Sequence, residues 1–231
     1  MCWNMDTISI WNEINMVKKV YLALDIEKTG SKNLQHPICS IGWCLGLEDG
    51  TVLEKNRINL KVKWPIKMAD SLDYGDFEPR CWDEFWSKHP SALVELITRD
   101  AVGMTTGMFQ FSALLDRLEE QYPSPEYKLT FLSDNASFDI AALDVNLERY
   151  VNRIPLRYSK TCKYRAIEAP DDMLDVFPSH VVKKLVAQKI DPYVSHDHDP
   201  ANDAEHIYRQ YLLMQHLKTK LSTIVDEVWL N

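Results

Sequence analysis

The sequence predicts an α/β fold, a mixed five-stranded sheet with helices on both faces. Three observations point there. Strand-compatible segments at 18–27, 38–47 and 51–62 follow one another through short links, as in an antiparallel meander. From residue 109 onward, helical and strand-like periods alternate, the pattern that adds parallel strands through crossover helices. A chain of 231 residues, 45% of them hydrophobic, is also long enough to bury a sizeable core.

Composition narrows the function. Charged residues make up 26%, ordinary for a folded chain, and the net charge is −8. That balance argues against a broad basic surface gripping duplex phosphates, though not against a narrow nucleic-acid cleft. The five cysteines, Cys2, Cys39, Cys44, Cys81 and Cys162, have no close pairing and no zinc-knuckle spacing. Free, mostly buried thiols in a reducing compartment follow. With no membrane-length apolar run and no secretory leader pattern, an intracellular protein without membrane contact is expected.

The elements can be justified in order. Residues 1–16, with Trp3 and Trp11 but little periodicity, read as an N-terminal extension. The main domain is expected at 17–231, with an irregular insert at 64–107. Residues 20–24 are apolar and lead into Asp25 and Glu27. Glu48-Asp49-Gly50 is a hairpin signal because Asp-Gly tolerates positive φ. Glu54, Lys55, Asn56 and Arg57 read as the exposed middle of the third strand or as edge protection.

Within the insert, Trp82, Phe85 and Trp86 form an aromatic stripe on a short helix at 81–88. Core packing is the simpler use of that stripe; a base-stacking platform is the alternative if it borders the acids. A second short helix is expected at 91–99. A helix at 109–121 is predicted to bury Phe109, Phe111, Leu114, Leu115 and Leu118, and a strand follows at 129–133. Helices at 136–150, 179–189 and 201–217 and a strand at 154–158 complete the pattern. Val181, Val182, Leu185 and Val186 fit either core or a homodimer face.

Three acidic clusters carry the chemistry. Asp25 and Glu27 lie two apart on one strand, so both carboxylates project to one face. Two solvated acids at a strand end would satisfy the same spacing. Buried together they would repel, and a hard cation such as Mg²⁺ or Mn²⁺ removes that conflict. The second cluster, Ser133-Asp134-Asn135-Ala136-Ser137-Phe138-Asp139, sits where a strand gives way to a helix, the edge at which open α/β sheets place their sites. Asp134 and Asn135 read as helix caps, and Asp139 is expected about one turn into the helix. The third cluster runs His196-Asp197-His198-Asp199-Pro200 into Asp203. His198 and Asp203 make a poor zinc pair without a third nitrogen or sulfur ligand, whereas a histidine suits general-base work. His196 is expected at the surface or behind the ligands, and Asp199 and His206 as solvated helix-end residues.

Asp-x-Glu on the first strand, Asn-x-x-Phe-Asp at a strand-to-helix junction and His-x-x-x-x-Asp before the last helix occur in that order. Together they resemble the three motifs of the DEDDh exonucleases, the DnaQ-like 3′→5′ exonuclease superfamily with a ribonuclease-H-like fold. The resemblance spans Asp25 to Asp203 and leaves out the N-terminal residues and the 64–107 insert. It implies that Asp25, Glu27, Asp139 and Asp203 hold two divalent cations, Mg²⁺ or Mn²⁺, with Asp25 bridging them. It also implies that His198 deprotonates the attacking water. The sister subclass carries Tyr-x-x-x-Asp, and Asp199 stands at that place, so the histidine subclass is indicated.

The resemblance further implies that Lys28, Thr29, Asn135 and Phe138 face the substrate, a single-stranded DNA or RNA 3′ end. Lys28 departs from the small polar residue usual there, and either contacts the terminal phosphate or points to solvent. The motifs serve DNA and RNA alike. Two alternatives stay open: an exoribonuclease restricted to oligonucleotides or dinucleotides, and a nucleic-acid-binding module of the same fold without turnover.

Overall fold

The computed structural model describes residues 17–93, 100–153, 162–164, 179–194 and 196–229. The expected 1–16 extension, the strand at 154–158 and all but the opening turn of the 91–99 helix lie outside these residues.

The sheet forms from β1 (Lys18–Lys28), β2 (Ile38–Leu47), β3 (Val52–Asn59), β6 (Tyr127–Leu132) and β7 (Cys162–Tyr164). A separate two-stranded ribbon pairs β4 (Ile66–Lys67) with β5 (Leu72–Asp73). The main order is β3-β2-β1-β6-β7, with β1–β2 and β2–β3 antiparallel and β1–β6 and β6–β7 parallel. This is the mixed α/β sheet that the pattern predicted. Its hairpin turns at Gly50, whose φ of 92° only glycine adopts cheaply.

The helices are α1 (Pro79–Glu84), α2 (Met104–Gln121), α3 (Asp139–Val151), α4 (Ser179–Lys189) and α5 (Pro200–Trp229). Alternation along β1 sorts them onto two faces. Val20, Leu22, Leu24 and Ile26 enter the larger core with Phe111, Leu115 and Leu118 of α2 and Ile140, Leu143 and Leu147 of α3. Tyr21 and Ala23 face the opposite side and pack with Ala204, Ile207, Tyr208 and Tyr211 of α5. Phe109, expected in the core, is 58% exposed; helix α2 begins five residues earlier and turns Met108 inward instead. On α4, Val182 is buried and its apolar neighbours are half-buried.

Helix α5 lies unusually close to the sheet because two glycines of β2 make room. A Cβ on Gly42 would stand 2.0 Å from the Pro200 backbone carbon, and one on Gly46 would stand 2.3 Å from the Tyr208 ring. Tyr208 then donates its hydroxyl to the carbonyl of Leu47. The edge strand β3 fastens helices on both faces: Glu54 pairs with Arg117 of α2, Lys55 with Glu205 of α5, and Arg57 with Asp199 just before α5.

Replacing a strand glycine by alanine ordinarily gains roughly 0.5–1 kcal/mol. Gly42→Ala is expected to reverse that sign, because the new methyl meets helix backbone, and to cost about 1–3 kcal/mol. Gly103→Ala, whose Cβ meets nothing within 4 Å, is the control and should stay within about 0.5 kcal/mol. Urea midpoints of the two variants check both; equal midpoints would sink the close-approach argument.

Candidate active site

Strand register brings the acids together. Asp25 and Glu27 continue the Tyr21–Ala23 face of β1, so they point toward α5. The cross-strand partner of Asp25 is Gly42, the residue on which the start of α5 rests. That contact sets Asp203, in the first turns of α5, beside β1. On the other flank, pairing of β1 with β6 ends at Ala23 and Leu132. The chain therefore leaves β6 next to Asp25 and passes through Ser133 and Asp134 to Asp139.

The ligand oxygens of Asp25, Glu27 and Asp203 all lie within 4.8 Å of one another, and so do those of Asp25, Asp134 and Asp139. Asp25 belongs to both groups. Each donor set is oxygen only, which fits a hard divalent cation such as Mg²⁺ or Mn²⁺. Crowding raises the proton affinities. Burial, then the charges of Glu27, Asp139 and Asp203, push the Asp25 carboxyl well above the usual range. Burial, then Asp203 and Asp139, do the same to Glu27. Burial lifts Asp139 from 3.8 to about 7, against hydrogen bonds from the Ser133 hydroxyl and from the backbone N–H groups of Asn135 and Ile26.

Two histidines meet the same acid with opposite results. His196 Nδ1 lies 3.1 Å from Asp203 Oδ1, and this hydrogen bond raises its pKa. Burial lowers that of His198, whose Nδ1 stands 3.9 Å from Glu27 Oε1. A neutral imidazole beside carboxylates is the form that accepts a proton. His198 adopts a left-handed φ of 63°, sparsely populated for a side-chain-bearing residue. Its ring is held edge-on by Phe85 at 4.7 Å and approached by His89 at 4.7 Å.

No protein-family model and no curated protein sequence matches the chain. Solved structures do. E. coli exonuclease I in complex with a dA16 oligonucleotide is similar over 90% of this chain, at 11% identity and a TM-score of 0.56. The chain spans 43% of that protein's length. A 3′-exonuclease described in recognition of the histone mRNA stem-loop matches 87% of this chain and 83% of its own, at 12% identity and a TM-score of 0.55. The nuclease domain of 3′hExo, a DEDDh family member bound to rAMP, matches 87% of this chain and 92% of its own, at 12% identity and a TM-score of 0.51. The fold is that of the DEDDh exonucleases.

On this DEDDh-type fold, the motif residues Asp25, Glu27, Asp139, Asp203 and His198 sit together at one end of the sheet. Several local expectations need correction. Asp139 is the first residue of α3, not one turn in, and no side chain caps that helix. Asp134 joins the acid cluster, while Asn135 accepts from the Ser137 hydroxyl at 2.8 Å. Thr29 is fully buried and gives its hydroxyl to the Pro37 carbonyl, so it shapes the turn. Lys28 does not point to solvent: it is buried, its ammonium donates to Asn33 and it lies over the Phe138 ring.

Asp199 pairs with Arg57 and accepts from the Ala201 N–H, and His206 is buried between Asp191 and Gln210. Neither is solvated as expected. The aromatic stripe is divided between the core and the edge of the site. Trp86 is buried and donates to the Lys28 carbonyl, while Phe85 borders the site. Phe85 and His89 carried no local signal as neighbours of His198, because the contact spans more than a hundred positions. Asp134 did carry one, its place at the strand end.

The metal-free protein should lose stability as pH rises. Between 3.8 and about 7 the folded Asp139 keeps a proton that the unfolded chain has released. The folded state is therefore favoured at low pH, and the advantage disappears as pH passes the folded value. In chelator, the urea midpoint is expected to fall from pH 5 to pH 8 and to fall less in Asp139→Asn. An equally steep fall in the variant would contradict the assignment.

Proposed function

We propose that this chain is a metal-dependent 3′→5′ exonuclease that hydrolyses phosphodiesters at single-stranded nucleic-acid ends and releases nucleoside 5′-monophosphates. The observation that carries the proposal is Asp25 shared between two oxygen-donor groups beside a histidine whose charge is disfavoured. Asp25, Glu27 and Asp203 would hold one divalent cation; Asp25 and Asp139, joined by Asp134, would hold the other. Such a pair supplies an aligned, activated water, neutralised phosphoryl oxygens and a stabilised leaving alkoxide.

The remaining work falls to the chain itself. His198 takes the proton of the attacking water at a ring nitrogen, and its depressed pKa keeps that nitrogen free near neutrality. Phe85 fixes the imidazole plane. Ser133 and the backbone N–H groups around it orient Asp139. Phe138, half-buried, and Asn135, exposed, form the rim that a terminal nucleotide meets. Lys28, clamped under Phe138, positions that rim. The net charge of −8 favours short substrates, since a dinucleotide needs few phosphate contacts.

Degradation of 5′-labelled single-stranded DNA and RNA tests the proposal, with a dinucleotide and a 20-nucleotide strand compared. Mn²⁺ or Mg²⁺ is expected to give stepwise shortening from the 3′ end. Asp25→Asn and Asp139→Asn should abolish it, and His198→Ala should slow it by about 10²–10⁴-fold. The same cations should raise the melting temperature of the native chain at pH 8 but not that of Asp25→Asn. Metal-independent behaviour in both assays would overturn the reading.

A further inference from the structure

Beside the oxygen-only groups lies a third cluster with different chemistry. Ring nitrogens of His196 and His198 and a carboxylate oxygen of Asp203 all come within 4.8 Å of one another. The histidine planes meet at 61° with ring centres 5.5 Å apart. The loop that carries them is tied down: Asp197 accepts from the Asn202 amide and from the Asp199 N–H, both at 3.2 Å. The Asp197 N–H in turn donates to Asp203 Oδ1 at 3.2 Å, orienting the carboxylate. Such outer contacts are what hold metal ligands in place.

We propose that His196, His198 and Asp203 form a site for Zn²⁺ that overlaps the oxygen-only groups at Asp203, and that filling it switches the catalytic centre off. Two imidazoles and one carboxylate leave a fourth position for water, a donor set of the kind zinc takes. Nitrogen donors favour Zn²⁺ over Mg²⁺, whose preference is for octahedral oxygen. Tetrahedral ligands at about 2.0–2.1 Å from zinc stand roughly 3.3 Å apart, so modest side-chain rotation closes this cluster. The His196–Asp203 hydrogen bond, 3.1 Å long, is the contact the ion would replace. The third ligand that the pair His198–Asp203 needs, and its second nitrogen, is His196, two residues before His198. Bound zinc would occupy the ring that accepts the water proton and an acid of the Asp25–Glu27–Asp203 group. This inhibitory consequence rests on the exonuclease reading; the binding itself does not.

X-ray absorption at the zinc edge of the full-length native protein, loaded with one equivalent of Zn²⁺ in the absence of Mg²⁺, tests the site directly. Imidazole scattering from two histidines is expected, and an all-oxygen shell overturns the proposal. Calorimetric titration with Zn²⁺ should weaken at least tenfold in His196→Asn. Mn²⁺ binding to the same variant should stay within about threefold of native. Unchanged zinc affinity in a folded His196→Asn also overturns it. Where hydrolysis is measurable, one equivalent of Zn²⁺ should inhibit the Mn²⁺-supported native reaction and spare that of His196→Asn. A chain with the two-histidine zinc shell but no hydrolysis under any metal would retain the site and lose the exonuclease reading.

Discussion

The arrangement depends on how near α5 comes to the sheet. Asp25, Glu27 and the β6 exit are fixed by strand register. Asp203 and the histidine loop arrive from the far end of the chain, and only the bare faces of Gly42 and Gly46 let their helix settle at the required depth. The ion pairs from β3 to Asp199 and Glu205 hold the same helix from the side. Packing a helix onto glycine is thus the means by which a C-terminal acid becomes a neighbour of an N-terminal one.

That closeness works against the fold's own electrostatics. Carboxylates gathered within a few ångströms and shielded from water raise one another's proton affinity, and the pressure is greatest on Asp25 and Glu27. The hydrophobic cores on the two sheet faces must hold the arrangement together while the acids push outward. Active sites commonly hold strain of this kind, which a bound cation relieves. The same logic separates the two imidazoles: one gains a proton partner in Asp203, and the other is left neutral by its apolar wall.

Much of this was legible in the sequence, and the failures have physical causes. Strands β1 and β2 and the Asp49-Gly50 turn announce themselves through alternation and backbone chemistry, which act over a few residues. Helix α2 was evident from its period, yet Phe109 was placed on the wrong side: two residues from Phe111 it stands roughly 200° around the helix, and Met108, three residues before Phe111, takes the core position. Asp139 was misplaced by less than a turn because α3 begins at Asp139 itself, later than its apolar period suggested. The acids could be named because their spacing on predicted elements and their resemblance to known motifs agree. Phe85, His89 and the partners of the buried His206 could not, since contacts between distant segments leave no periodic trace. Asp134 lay in plain view but was absorbed by a capping explanation that the backbone does not use.

The excursion between β3 and α2 is joined to the first strand through Trp86 and touches the imidazole of His198 through Phe85 and His89. Its described residues lend no carboxylate to the cluster, yet His89 adds to the depression of that imidazole's proton affinity. Evolution therefore has a dial at positions 85 and 89. Changes there would shift the proton affinity of that imidazole while every carboxylate of the cluster stays as it is.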